Sequence, residues 1–188
     1  MDQRVSQLER VRAQTDQLQN RLDALEEDSS SKEQWARMNN VEIKGIKQVQ
    51  NENLFDILAK IGTKISYPIN KSQINFITRV PTREKEIKPI IISFCNRYVK
   101  EDFLAAARLE TKSSPIMSSH IGLPGNQKIY VNEHLTSKIK TLLSKTKKSA
   151  PETNFRYVWV KHAKVYVRKT DTSPIIFIKS EKNLAKLV

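Results

Sequence analysis

Two short segments near the C-terminus alternate between valines and larger polar or aromatic residues, and no other pattern constrains the fold as closely. Residues 155–160 and 165–168 flank a polar tetrapeptide at 161–164. Successive side chains of a strand point to opposite faces, so this pattern predicts an antiparallel hairpin. Pairing about the turn sets Trp159 opposite Tyr166 and Tyr157 opposite Arg168.

The two faces of this hairpin differ in chemistry. One face carries valines only. The other carries rings and a cation, namely Tyr157, Trp159, Tyr166 and Arg168. Rings stack on nucleobases at ~1–3 kcal/mol each while cations hold phosphates, so the second face favours single-stranded nucleic acid. The alternative is that the rings pack in a core, as aromatic strand residues often do.

The charge of the chain is concentrated in the same region. The 188 residues have a formal net charge of +13, and residues 128–188 contribute 14 Lys and Arg against 4 Asp and Glu, a net of +10. Residues 1–31 carry 4 basic and 7 acidic groups, a net of −3. Nucleic acid is the commonest partner of such a basic chain, and a merely solvated basic surface is the alternative.

Several classes of protein do not fit the sequence. No apolar run approaches the ~18 residues of a membrane span, and the polar N-terminus lacks the apolar segment of a signal peptide, so we expect a cytoplasmic or nuclear protein with no membrane partner. The single cysteine, Cys95, lies in an apolar run at 90–95, which predicts a buried core residue. Because the chain has only one cysteine and three scattered histidines, we expect no metal site.

Enzymatic activity is not expected. The sequence has no Gly-rich phosphate loop and no nucleophile elbow, and it contains only four glycines. Glu133 and Asp171 are isolated acids that fit turn or capping roles better than catalysis. We therefore expect no cofactor and no small-molecule substrate.

The N-terminal residues have the spacing of a coiled coil. Steps of three and four separate the seam positions, which are Leu8, Val11, Thr15, Leu18, Leu22 and Leu25. A lone helix of this length is marginal in water, so we expect homo-oligomerisation through these residues. We assign residues 1–28 to the coiled coil and residues 29–38 to a flexible linker, because acidic and serine residues follow the seam.

The next region predicts elements in the order βαββαβ. Strands are expected at 41–46, 74–80, 90–95 and 128–131, with helices at 53–62 and from about 98 to 110. This is the ferredoxin-like order of an RNA-recognition motif, which we assign to residues 39–132. Its exposed face is expected to carry Glu42, Lys44, Ile91, Ser93 and Cys95 rather than stacking rings. The predicted backbone contacts of this domain are Arg79, Arg83 and Lys85.

Residues 133–188 predict a second, basic α+β unit. It comprises a lysine-rich amphipathic helix at 136–149, the hairpin, a strand at 174–179 and a terminal helix capped by Ser180. The predicted nucleic-acid contacts of this unit are its cations and rings, namely Lys138, Lys145, Lys147, Lys148, Arg156, Tyr157, Trp159, Lys161, Lys164, Tyr166, Arg168 and Lys169.

Four motifs carry a family resemblance: KIYVNEHLT at 128–136, YVW at 157–159, VYVRK at 165–169 and SE at 180–181. Together they resemble the C-terminal domain shared by baculovirus FP (few-polyhedra) proteins and the first-reading-frame proteins of insect non-LTR (LINE-type) retrotransposons. Residues 39–46 and 103–108 extend the resemblance over about residues 35–188. It implies a coiled coil, an RNA-recognition-like domain and a basic C-terminal domain in this order, and, for the retrotransposon members, an oligomeric chaperone role in a ribonucleoprotein.

From these observations we expect an α+β protein that oligomerises and binds single-stranded RNA or DNA with little sequence preference. The alternative is a viral or host coiled-coil structural or assembly protein of the baculovirus FP type, whose basic end serves only solubility. Nucleic acid that co-purifies at moderate salt would distinguish the first from the second.

The seam generates a prediction about assembly. The full-length chain should be oligomeric in light scattering, because the seam residues need a partner helix to bury them. A chain that lacks residues 1–31 should remain folded and be monomeric. A monomeric full-length chain would show that three heptads are too short to associate.

Overall fold

The computed structural model describes residues 2–81 and 87–186, with side chains from residue 4 onward. The chain forms two units, Met1–Ala36 and Arg37–Val188. The first unit is a long helix, and the second contains two antiparallel sheets with helices, so the α+β class is confirmed.

The first unit is helix α1, Asp2–Trp35. The apolar seam residues Leu8, Val11, Leu18, Leu22 and Leu25 are exposed along it. The helix is longer than predicted, since residues 29–35 are helical and not a linker. No Gly or Pro interrupts residues 26–35, and Lys32 pairs with Asp28 one turn earlier at 2.7 Å, which supports continued helix.

The first sheet lies in residues 40–133. Its strands are β1 (Asn40–Lys44), β2 (Ile74–Arg79), β3 (Ile90–Phe94) and β4 (Tyr130–Glu133), in the order β2-β3-β1-β4, and every neighbouring pair is antiparallel. Helix α2 (Leu54–Lys64) follows β1 and helix α3 (Arg97–Ser113) follows β3. Strand β4 begins two residues later than predicted, because Lys128 forms an isolated bridge with Met117 instead.

Period-two alternation explains the core of this sheet. Val41 and Ile43 of β1 are buried in one cluster with Leu58 and Ile61 of α2 and with Phe103 of α3. The side chains of Asn53 and Asn96 accept backbone N–H groups at the starts of α2 and α3, respectively. The two helices therefore pack on the sheet face that carries these apolar residues.

The opposite face of the sheet differs from its predicted exposure. Glu42, Ile91 and Ser93 are buried, at 5%, 3% and 7% exposed, although they were expected on an open face. Cys95, which the apolar run placed in the core and the strand alternation placed on the open face, is exposed. Strand β3, whose five residues are all buried, ends at Phe94, so Cys95 lies in the connection to α3.

The second sheet follows helix α4 (Ser137–Ser149) and contains β5 (Tyr157–Lys161), β6 (Lys164–Arg168) and β7 (Ile176–Ile178), in that order and antiparallel. The predicted register is confirmed, with Tyr157 opposite Arg168 and Trp159 opposite Tyr166. Buried Val165, Val167 and Ile178 pack beneath the sheet with Leu142 of α4 and with Leu184 of helix α5 (Glu181–Ala185). Ser180 caps α5, as predicted.

The turn between β5 and β6 is held from the first sheet. His162 and Ala163 both have positive φ, at 53° and 58°, which is the backbone of a type I′ turn. The carboxylate of Glu133, 5% exposed at the end of β4, accepts the N–H groups of His162 at 3.0 Å and Ala163 at 2.6 Å. Glu133 therefore has the turn-capping role predicted for it, and it joins the two sheets.

Arg79 at the end of β2 has a structural role. Its side chain is 7% exposed and forms two bonds of 2.7 Å to the Glu52 carboxylate. Its remaining N–H groups donate to the carbonyls of Ile46, Lys47 and Lys88. All of the five donors of an arginine are thus used, which corrects the prediction that Arg79 binds a phosphate.

This pair generates a stability prediction. Arg79→Ala should lower the free energy of unfolding by ~3–5 kcal/mol, because it leaves the Glu52 carboxylate buried without its cation. Chemical denaturation would measure the loss. Lys145→Ala is the matched control, since Lys145 and Glu181 form an ion pair that is about half exposed on both sides and should contribute at most ~1 kcal/mol. Equal losses for the two variants would contradict the structural role.

Candidate nucleic-acid interface

A row of aromatic rings crosses the second sheet on the side away from its buried cluster. The Trp159 and Tyr166 rings stack with centroids 5.7 Å apart and an interplanar angle of 24°. Tyr166 and Phe177 follow at 5.6 Å and 43°. The adjacent strands β5, β6 and β7 each supply one ring of this row, and Tyr157 lies on the same face of β5. We call Tyr157, Trp159, Tyr166 and Phe177 the aromatic face.

The rings of this face are accessible. Tyr157, Trp159 and Tyr166 are half-buried and Phe177 is exposed, and none of the four belongs to the cluster beneath the sheet. Phe177 was missed from the sequence, although the alternation at 174–179 was a usable signal. It pairs directly with Tyr166, which places it on the same face.

Cations lie against these rings. The guanidinium groups of Arg156 and Arg168 are each 5.4 Å from the centre of the Tyr157 ring. The Lys164 ammonium is 5.6 Å from the centre of Phe177. Such contacts are cation–π interactions, and they hold positive charge beside surfaces on which a base can stack.

Asp171 lies among these groups. The Tyr157 hydroxyl donates to its Oδ1 at 2.5 Å, and Arg156 and Arg168 approach its carboxylate at 3.6 and 3.5 Å. This hydrogen bond raises the pKa of Tyr157 and lowers the pKa of Asp171. The role differs from the turn or capping role predicted for Asp171, because Ser173 accepts the N–H groups of that turn instead.

Helix α4 and the hairpin supply further exposed cations. Lys138, Lys147 and Lys148 of α4 are exposed, as are Lys161 and Lys169. Lys145 is paired with Glu181 at 2.6 Å, and Lys140 donates to buried Glu42 of β1 at 2.8 Å. The Lys140 bond is one reason that Glu42 does not lie on an open face.

A cleft of about 590 Å³ runs between β4 and β5, which are edge strands of the two sheets. Its lining residues include Tyr130, Trp159, Glu42 and Glu133. Its lining also includes cations, namely Lys44, Arg108, Lys112, Lys140 and Lys147. Trp159 therefore belongs to both the aromatic face and the cleft.

The structure brings most of the predicted site residues together, but not all of them. The hairpin residues and Lys147 adjoin the aromatic face or the cleft. Arg79 is held by Glu52, and Arg83 and Lys85 lie outside the described residues. Sequence reasoning missed Arg108, Lys112 and Tyr130 as candidates, because only the contact between the sheets brings them to β5.

The described part of the chain has neither a membrane-spanning helix nor a group of metal-ligating side chains. No helix at 2–81 or 87–186 is long and apolar enough to cross a membrane. Over the same residues, no three side chains of His, Cys, Asp or Glu are grouped so that they would hold a metal ion.

Comparison with known families gives a match at the C-terminal end of the chain. The family model described as baculovirus FP protein domain 2 matches residues 136–188, which contain α4, the second sheet and α5. No curated protein matches the chain. The match supports the FP part of the resemblance for these residues, whereas no comparison supports its retrotransposon part.

The accessibility of the rings generates a prediction. Trp159→Ala should lower the free energy of unfolding by only about 1 kcal/mol, because the ring lies above the sheet and is half-buried. Ile178→Ala, in the cluster below the same sheet, should cost ~2–5 kcal/mol. Thermal and chemical denaturation of both variants would test this. A loss for Trp159→Ala as large as that for Ile178→Ala would assign the ring to the core.

Proposed function

We propose that this chain binds single-stranded nucleic acid with little sequence preference, through the aromatic face and the adjoining cleft. The observation that carries the proposal is the row of Trp159, Tyr166 and Phe177, which is accessible and bordered by cations. Every base has a stacking face, and a single strand leaves it free, whereas a duplex buries it.

The cations that lie near the rings support this proposal. Lys164 lies at the Phe177 end of the row, and Arg156 and Arg168 lie at Tyr157. Lys147 and Trp159 both line the cleft. Phosphates alternate with bases along a strand, so positive charge beside the rings supplies backbone contacts that do not depend on sequence.

We infer that the first sheet follows the ferredoxin-like plan. The order β2-β3-β1-β4, with one helix after β1 and one after β3, supports this plan. On the sheet face away from the helices, Glu42, Ile91 and Ser93 are buried, whereas Phe76 and Tyr130, which pair with Ser93 and Lys44, are each 49% exposed. The domain boundaries at 39–132 and 133–188, and oligomerisation through α1, remain predictions.

A second candidate is a structural or assembly protein of the baculovirus FP type. The match of residues 136–188 to FP domain 2 favours this candidate more directly than it favours nucleic-acid binding. The exposed apolar seam of α1 also suits a protein that assembles through its helix. If the basic end serves only solubility, the purified protein will not bind single strands at moderate salt.

The experiment that separates the candidates is a filter-binding series with oligo(dT) across salt concentrations. If about six phosphates are contacted, the slope of log affinity against log salt should be roughly −4, at ~0.7 per contact on a single strand. Failure to bind, or a flat line, would favour the second candidate.

Matched lysine variants locate the contacts. Lys164→Ala should make the slope shallower by ~0.7, because it removes one phosphate contact on a single strand. Lys60→Ala is the control, because Lys60 is exposed on α2. Its substitution removes the same charge from the part of the chain that contains the first sheet. Equal effects of the two variants would show general attraction by net charge and no role for the aromatic face.

A further inference from the structure

Three donor groups surround the exposed carboxylate of Asp171, which lies beside the aromatic face. The Tyr157 hydroxyl and Arg168 Nη2 approach the same oxygen of Asp171, at 2.5 and 3.5 Å, and Arg156 Nη1 lies 3.6 Å from the other oxygen. The two guanidinium groups share the ring of Tyr157. Two cations and a hydroxyl thus surround a group that bears a single negative charge.

This arrangement retains donor capacity that the carboxylate does not use. Two positive charges face one negative charge, so the cluster keeps a net positive charge. The Nε–H of Arg168 is buried and has no hydrogen-bond partner among the residues that the structure describes. An unpaired buried donor beside a charged cluster is uncommon, and an acceptor on a ligand would satisfy it.

The Asp171 side chain can move away without breaking the hydrogen bonds of the β6–β7 turn. The β6–β7 turn is closed by Ser173, whose Oγ accepts from the N–H groups of Lys169 and Thr170 at 3.0 and 2.9 Å. The N–H of Ser173 donates in turn to Thr170 Oγ1 at 3.1 Å. The Asp171 side chain takes no part in these bonds, and it is 69% exposed, where an ion pair is held weakly.

We propose that Asp171 occupies the position of a backbone phosphate in the free chain, and that a single strand binds Tyr157, Arg156 and Arg168 by displacing this carboxylate. The proposal rests on the proposed function. A phosphodiester resembles a carboxylate in bearing one negative charge on two terminal oxygens, and arginine pairs with both in the same fork geometry. Tyr157 and Trp159 lie on one face of β5, so a phosphate held here continues into a base stacked on the row.

The consequence is an intramolecular competitor within the site. Asp171 is attached to the same hairpin sheet as the arginines, so it is always present at high effective concentration. Only the fraction of chains in which the carboxylate has moved away is competent to bind, and the apparent affinity falls by that fraction. Removing the carboxylate should therefore strengthen binding, whereas removing a merely structural residue would weaken it.

The test compares Asp171→Asn with Glu152→Gln by fluorescence anisotropy on labelled oligo(dT). Both substitutions remove one negative charge from an exposed acid of the same unit, but Glu152 lies at the end of α4 outside the cluster. Asp171→Asn should bind about three- to tenfold more tightly, with an unchanged salt slope, because the same phosphate contact forms in both complexes. Glu152→Gln should bind like the unchanged chain. Unchanged or weaker binding by Asp171→Asn, or an equal gain in both variants, would overturn the proposal.

A second measurement does not depend on nucleic-acid binding. Inorganic phosphate is titrated into the unchanged chain and into Asp171→Asn while NMR follows the side-chain Nε–Hε resonances of Arg156 and Arg168. These resonances should shift at several-fold lower phosphate concentration in Asp171→Asn. If oligo(dT) binds neither protein, the proposed function fails, and this titration alone tests the anion site. Arginine resonances that stay unshifted in both proteins would overturn the site itself. If Asp171→Asn binds phosphate more tightly than the unchanged chain but does not bind oligo(dT) more tightly, the assignment of this anion site to nucleic acid is overturned.

Discussion

The carboxylate of Glu133 holds the second sheet in its place beside the first. It sits at the end of β4 and accepts both N–H groups of the turn between β5 and β6, while Arg108 and buried Lys100 approach it at 3.3 and 3.9 Å. His162 and Ala163 both adopt positive φ without being glycine, a conformation that costs free energy unless its surroundings stabilise it. The cleft, and the position of Trp159 on its wall, follow from this contact.

Glu133 lies outside the residues that match FP domain 2. The match begins at residue 136, whereas the N–H groups at the tip of its hairpin are satisfied from residue 133. Lys140 of the matched region likewise donates to Glu42 of the first sheet. The matched segment therefore does not satisfy all of its own hydrogen bonds, because residues 133 and 42, which lie outside it, supply acceptors. Any account of what the basic end does has to include β4.

Local patterns in the sequence predicted local geometry well. Alternation about residues 161–164 gave the hairpin register, and the capping residue Ser180 gave the start of α5, because each signal lies within a few residues of its effect. Partners far apart in sequence were not predictable in the same way. Arg79 is 27 residues from Glu52, and nothing in the composition near Arg79 distinguishes a buried ion pair from a phosphate contact. Arg108 and Lys112 of the cleft were missed for the same reason, since packing between elements brings them to the site.

Strand β7 is the outer edge of the second sheet, and its exposure has a consequence for solubility. Ile175 and Phe177 are 57% and 42% exposed beside unpaired backbone groups of an edge strand. Such an edge is a template for pairing with other chains, and natural sheets blunt it with short strands, prolines and lysines. Here β7 has only three residues, and Pro174 and Lys179 flank its apolar run. These residues act as gatekeepers against aggregation, which lets the sheet keep an exposed aromatic ring at its rim.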